Sequence, residues 1–179
     1  MLVFRRADAG RDALPAFFRE TFAASAGPEE GDVVARLVTD LLATTPADAL
    51  IIWTARDEAG LAGCICLSRL SWPGDDRRGL LLSPVAVAPD RRGRGIGTAL
   101  LRHGIEGMRA SGFDLVVTYG DPAWYGRAGF APADTGHLPP PFPLSQPEGW
   151  LVLPLTEQGA GAFREPPATV PAMDRPDIW

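Results

Sequence analysis

Apolar residues fall first into a helical period and then into runs that suit strands. Leu2–Arg6 alternates weakly and predicts a short opening strand. Over Asp12–Ala24, Leu14, Phe17, Phe18 and Phe22 share one helical face, and Gly27-Pro28 breaks the segment. A second helix is predicted over Glu29–Ala43, striped by Val33, Val34, Leu37, Val38, Leu41 and Leu42, with Pro46 past its end. Ala49–Arg56 and Leu61–Ser71 read as strands joined by a turn at Asp57–Gly60. Trp72–Gly79 is polar and reads as a connection, and Leu80–Ala88 reads as a buried strand despite Pro84. A helix with Ile96, Leu100, Leu101, Ile105 and Met108 on one side ends at Ser111-Gly112. Phe113–Tyr119 follows as a strand, and Asp121-Pro122 as an N-cap with proline at the first helical position. Phe130–Ala133 and Trp150–Leu155 read as late strands, Pro139–Pro143 as a stiff loop, and the tail from Gly159 as irregular. This order predicts an α/β (α+β) fold, a mixed sheet flanked by helices, over 1–158 with a tail over 159–179.

Composition narrows the function classes. A chain of 179 residues is one domain in size, and 46% hydrophobic with 22% charged residues is ordinary for a globular protein. A net charge of −5 argues against nucleic acid and is compatible with a cationic partner. No apolar run reaches the ~20 residues of a membrane span. The opening Met1–Arg6 lacks the basic-then-apolar order of a signal peptide, so the cytoplasm is the expected location. Cys64 and Cys66 sit on one face of a strand as small core residues; with two histidines in the chain, no metal site is expected.

The most informative stretch joins the strand ending near Ala88 to the helix after it. Gly93, Gly95 and Gly97 alternate there, and Arg91, Arg92 and Arg94 lie among them. Glycine permits positive φ and close approach of backbone to ligand. Successive N–H groups then converge on an anion, backed by the free amides and positive dipole end of the helix. The pattern therefore points to a phosphate site. It is not a Walker A loop, since no lysine precedes Thr98, and G-x-G-x-G departs from the dinucleotide fingerprint.

Val85-Ala86-Val87-Ala88-Pro89 followed by Arg92-Gly93-Arg94-Gly95-Ile96-Gly97 resembles the acetyl-CoA signature of the GNAT family of N-acetyltransferases, V-A-V-x-P then [QR]-x-x-G-x-[GA]. Tyr125-Gly-Arg-Ala-Gly129-Phe130 is similar to that family's Y-x-x-x-G-F element. The resemblance runs from about Leu61 to Ala133. It implies a mostly antiparallel sheet of six to seven strands, splayed at the central strand and flanked by about four helices. It also implies acetyl-CoA as co-substrate. Backbone amides from Arg92 through Gly93, Arg94, Gly95 and Gly97 to Thr98 would take its pyrophosphate, and Val85, Ala86 and Val87 its pantetheine arm. Tyr125 would protonate the departing thiolate, with Tyr119 as the alternative. The implied acceptor is a small-molecule or peptide amine, and a homodimer is left open.

One family feature is missing. Many relatives carry a glutamate on the strand before the signature, whereas Leu80-Leu-Leu-Ser-Pro84 has no carboxylate. Asp121, His137 and Glu148 are the substitutes available, and Ser83 could hold a relay water. His103 reads as a solvated helix residue. The missing base also motivates an alternative reading, a non-catalytic module that binds acyl-CoA.

Overall fold

The two N-terminal helices form where the period of 3.6 places them. The structure, a computed structural model, describes residues 1–7 and 10–179. A 3₁₀ turn at Arg11–Ala13 leads into α1 (Leu14–Ala26), and Gly27 at φ 97° turns the chain into α2 (Pro28–Thr44). Leu14 and Phe18 of α1 and Val34, Leu37, Val38 and Leu41 of α2 are buried. The helices pack closely because Gly31 has no side chain: a Cβ there would lie 2.6 Å from the Arg19 carbonyl oxygen and 2.9 Å from the Ala23 methyl. Val33 departs from the expected stripe. It is 47% exposed, because the residues that face inward are Val34, Leu37, Val38 and Leu41.

The strands are β1 (Val3–Arg6), β2 (Leu50–Asp57), β3 (Gly60–Trp72), β4 (Asp75–Val87), β5 (Leu115–Tyr119), β6 (Ala131–Pro132) and β7 (Trp150–Pro154). They form one seven-stranded sheet in the order β1-β2-β3-β4-β5-β7-β6. The sheet is mostly antiparallel, with β4 and β5 running parallel from Gly79↔Leu115 to Leu82↔Thr118. Two further helices complete the fold, α3 (Ile96–Ala110) and the single turn α4 (Pro122–Tyr125). Among the described residues no helix is long and apolar enough to cross a membrane.

The segment read as a polar connection, Trp72–Gly79, is instead the turn of a hairpin. Only Pro73 and Gly74 turn, Gly74 at φ 70°, and β4 starts at Asp75. The charged run conceals a period of two: Asp75 and Arg77 are half-buried while Asp76 and Arg78 are exposed. Arg77 can lie inward because its charge meets Asp75 and its guanidinium sits 3.5 Å over the Phe163 ring. Gly79 is not a turn glycine either. It lies under the Trp72 indole, where a Cβ would come within 2.6 Å of the ring.

Contacts divide the chain into two compact units, Met1–Leu67 with Pro84–Gly104 and Ser68–Ser83 with Ile105–Trp179. The first holds the α1–α2 pair, β1, β2 and the start of α3. Inside it Gly104 lets α3 approach β3, since a Cβ there would be 2.8 Å from Ile65 Cδ1. The second is built on Leu80, Leu81, Leu82, Leu115, Val116, Val117, Trp150 and Leu151. The residues after Gly159 fold onto this second unit. Arg77 donates to the carbonyls of Gln158, Gly161 and Ala162, and Phe163 packs on Trp72 with ring centroids 4.2 Å apart. Trp179 is buried and donates from its indole to the Met173 carbonyl at 3.1 Å.

Candidate functional site

In the first unit, β4 delivers Val85, Ala86 and Val87 with Ala86 buried and the two valines half-buried. Pro84, just before them, supplies no N–H to a ladder. Ala88 donates to the Ala62 carbonyl at 3.0 Å, which ties the end of β4 to the sheet. A 3₁₀ turn at Pro89–Arg91 then lifts the chain, and Gly93 and Gly95 both take φ 74°. A Cβ at either would meet nothing within 4 Å, so the backbone angle, and not space, demands glycine there. The first bond of the α3 ladder runs from Ala99 N–H to the Gly95 carbonyl at 3.0 Å. The amides of Ile96, Gly97 and Thr98 therefore precede the ladder and form the positive end of a fifteen-residue helix.

The loop's own arginines fix this shape. Arg91 places Nη1 2.9 Å from both carboxylate oxygens of Asp57, and the pair is largely buried. Arg92 donates from Nη2 to the Thr21 carbonyl at 2.8 Å and from Nε to the Val87 carbonyl at 3.4 Å. Arg94 is exposed and reaches back to the Asp90 carbonyl at 3.1 Å. Asp57 neutralises Arg91, while Arg92 and Arg94 bond only to carbonyls and keep their charge beside the loop. Underneath, a Cβ on Gly63 would stand 3.3 Å from both the Ala86 carbonyl oxygen and Leu100 Cδ2. Its absence lets the first turns of α3 lie on the sheet. An isolated glycine inside a strand was the available signal for this close approach.

The second unit holds Tyr125. Asp121 caps α4, accepting from the Ala123 amide at 2.8 Å. Tyr125, half-buried, lies with its ring edge on Gly120, where a Cβ would be 2.8 Å from Cε2. Trp124 and Phe130 meet the ring edge-on at centroid distances of 4.7 and 5.6 Å. Burial raises the Tyr125 phenol above its ordinary value, and a hydrogen bond with the Thr118 hydroxyl offsets part of that rise. The phenol is thus a protonated acid throughout the neutral range. Tyr119 is placed differently. Its hydroxyl accepts from the Gln146 amide at 2.7 Å and shares a 2.9 Å bond with Ser145, so it anchors the loop before β7.

The remaining candidates have structural partners. Asp121 serves as the cap, and His137 pairs through Nδ1 with Asp134 at 2.9 Å. Glu148 is exposed on a 3₁₀ turn, and Ser83 is half-buried in β4. His103 is exposed but not simply solvated: it stacks on Phe4 with centroids 4.3 Å apart. Among the described residues no group of three His, Cys, Asp or Glu side chains could hold a metal ion.

Comparison with known proteins places this arrangement. Residues 48–132 match the model of the acetyltransferase (GNAT) domain. The chain is 36% identical over 136 residues to the uncharacterised N-acetyltransferase YjhQ of Escherichia coli K12, covering 73% of this chain and 72% of that protein. The crystal structure of the GNAT-family N-acetyltransferase YhbS of Escherichia coli, in complex with CoA, superposes with a TM-score of 0.81 at 24% identity, over 97% of this chain and 92% of that one. A GNAT-family acetyltransferase from Brucella melitensis, in complex with acetyl-CoA, superposes with a TM-score of 0.70 at 24% identity, over 97% and 99%. The signature strand, the glycine turn at the start of α3 and the Tyr125 element all fall inside the matched segment, and the chain belongs to the GNAT family of acetyltransferases.

Proposed function

We propose that the protein is an acetyl-CoA-dependent N-acetyltransferase that moves the acetyl group to a primary amine, on a small molecule or a peptide, by direct attack. The observation that carries this reading is the braced loop over 89–98. Two glycines at φ 74° open directly onto the first turn of α3, and salt bridge and carbonyl contacts from Asp57 and Thr21 hold the loop's shape before any ligand arrives. Amides from Arg92, Gly93, Arg94, Gly95, Gly97 and Thr98 suit a diphosphate, because each adds a fixed dipole without a mobile counter-ion. Val85 and Val87 would bond the pantetheine arm like an added strand, with Ala86 between them turned into the core. The CoA and acetyl-CoA bound to the two structural neighbours support the choice of donor.

In the reaction the neutral amine attacks the thioester carbonyl carbon, and the C–S bond breaks as the C–N bond forms. Orientation of the two reactants supplies much of the rate, of the order of 7–11 kcal/mol in well-aligned systems. The amide of Val85 would polarise the carbonyl oxygen. Tyr125 gives its proton to the departing sulfur, and the nitrogen's proton leaves to water. Calorimetry on Gly95→Trp tests the donor site. The expected result is loss of CoA binding with the far-UV circular dichroism of the parent; unchanged CoA affinity would remove the pyrophosphate assignment. CoA release over a panel of amines then separates an enzyme from a module that only binds acyl-CoA.

A further inference from the structure

One carboxylate closes the turn after β2 and also grips the loop over 89–98. Asp57 is the last residue of β2, and its Oδ1 accepts from the Ala59 amide at 2.9 Å, which fixes the turn. The same oxygen and Oδ2 each accept from Arg91 Nη1 at 2.9 Å. Arg91 ends the 3₁₀ turn that leads to the glycines, and its own amide donates to the Ala88 carbonyl at 2.9 Å. The Arg91 and Asp57 side chains are 11% and 28% exposed, so solvent screens the pair little. A further contact from Arg91 Nε reaches Asp90 at 3.5 Å, but that carboxylate is exposed and holds the arginine weakly.

An arginine beside an anion loop can touch the anion or hold the loop. The Nη1 of Arg91 is committed to a carboxylate on another strand, and that favours holding. The loop needs it. Gly93 and Gly95 sit at φ 74°, and glycine gives up more backbone freedom than any other residue when it is ordered. On the far side the chain is fixed by the α3 ladder, whose first bond runs from Ala99 to the Gly95 carbonyl at 3.0 Å. With Arg91 tied to Asp57, only Arg92, Gly93 and Arg94 lie between the two fixed points. Without that tie, an incoming ligand must itself order the loop, and the cost appears as lost affinity.

We propose that Asp57 is a positioning residue for the acetyl-CoA donor: through Arg91 it keeps the amides of 92–98 converged before the ligand arrives, and so sets donor affinity while touching neither the donor nor the reacting atoms. The inference rests on the loop being the diphosphate site. It assigns Arg91 to the frame of the site and leaves Arg92 and Arg94 as the arginines whose charge faces the loop unneutralised.

Calorimetry on the full chain tests this with CoA. Asp57→Ala is expected to weaken binding about tenfold. Asp57→Asn keeps an oxygen for the Ala59 amide and loses the charge, so it should fall between parent and Asp57→Ala; it carries the test if the alanine variant melts too early to titrate. In steady-state kinetics Asp57→Ala should raise the acetyl-CoA KM by the factor seen in binding and leave kcat within roughly twofold. Arg91→Met should reproduce the loss, and the double variant should be no weaker than either single one, because the effect passes through one contact. Arg91→Lys, which keeps a cation for Asp57, should recover part of it. Unchanged CoA affinity in folded Asp57 variants would overturn the proposal. So would tighter binding, which would mean that Asp57 withholds Arg91 from the phosphates, or a fall in kcat at constant KM. If the parent binds no CoA, the donor reading falls and this one with it. If the parent binds CoA, Gly95→Trp does not, and Asp57→Ala binds like the parent, the donor site stands and only the role of Asp57 is lost.

Discussion

At the scale of single residues, Tyr125 and Tyr119 illustrate how surroundings decide roles. They are six positions apart and chemically identical, yet the Tyr119 hydroxyl is occupied by the Ser145–Gln146 loop while the Tyr125 ring lies on Gly120 between Trp124 and Phe130. The prediction follows from that difference. Tyr125→Phe should cut kcat by roughly 10²–10⁴-fold, the range of well-placed general acids, and leave the acetyl-CoA KM within a small factor. Steady-state kinetics with any accepted amine checks it, and full activity would reassign Tyr125 to packing beside Trp124 and Phe130. The spacing Y-x-x-x-G-F marks Tyr125, and the alternating glycines mark the loop, because local backbone needs are written in neighbouring residues. Asp57, Thr21 and Gly120 carry no such mark. Asp57 braces the loop from 34 positions away, and the other two matter only through what the fold brings against them.

At the scale of elements, glycine placement controls how closely helices pack. Gly31→Val should push α1 away from α2, since a β-carbon would meet the Arg19 carbonyl oxygen at 2.6 Å and the Ala23 methyl at 2.9 Å. Overpacking against rigid backbone costs about 1–3 kcal/mol, and denaturant midpoints measure it. Gly126→Ala provides the contrast. Its φ is −56° and a Cβ there meets nothing within 4 Å, so the methyl group should stabilise by about 0.4–1 kcal/mol through the unfolded chain. Equal effects of the two substitutions would contradict the packing argument. Helical periodicity made α1, α2 and α3 legible, because an apolar stripe that returns every three to four residues over several turns suits a helix and defeats the alternation of a strand. The N-terminal half of β4 was not legible. Its charges and Gly79 imitate a loop, and the compensations, Arg77 on Phe163 and Trp72 over Gly79, depend on side chains that only the folded sheet brings together.

At the scale of the whole molecule, the composition suits a protein that holds an acetyl thioester. All 17 basic residues are arginine, so no side chain carries an amine. Guanidinium stays protonated at any working pH and does not attack a thioester, whereas a lysine near ~10.4 presents some neutral amine. Thiols are the other nucleophiles such a donor finds. Cys64 and Cys66 are 0% and 1% exposed, and the bond from Cys66 together with burial holds the Cys64 thiol well above its ordinary value. The protein should therefore resist acylation by its own substrate. Prolonged incubation with acetyl-CoA at mildly alkaline pH, followed by peptide mass spectrometry, is expected to find no acetylated side chain. CoA release without an added amine should match buffer hydrolysis. An excess accompanied by an acetylated peptide would mean that a side chain of the protein is itself an acceptor, and an excess without one would belong to the exposed terminal amine or to water. A background this low makes the amine panel decisive, because each turnover above hydrolysis must then belong to the added amine.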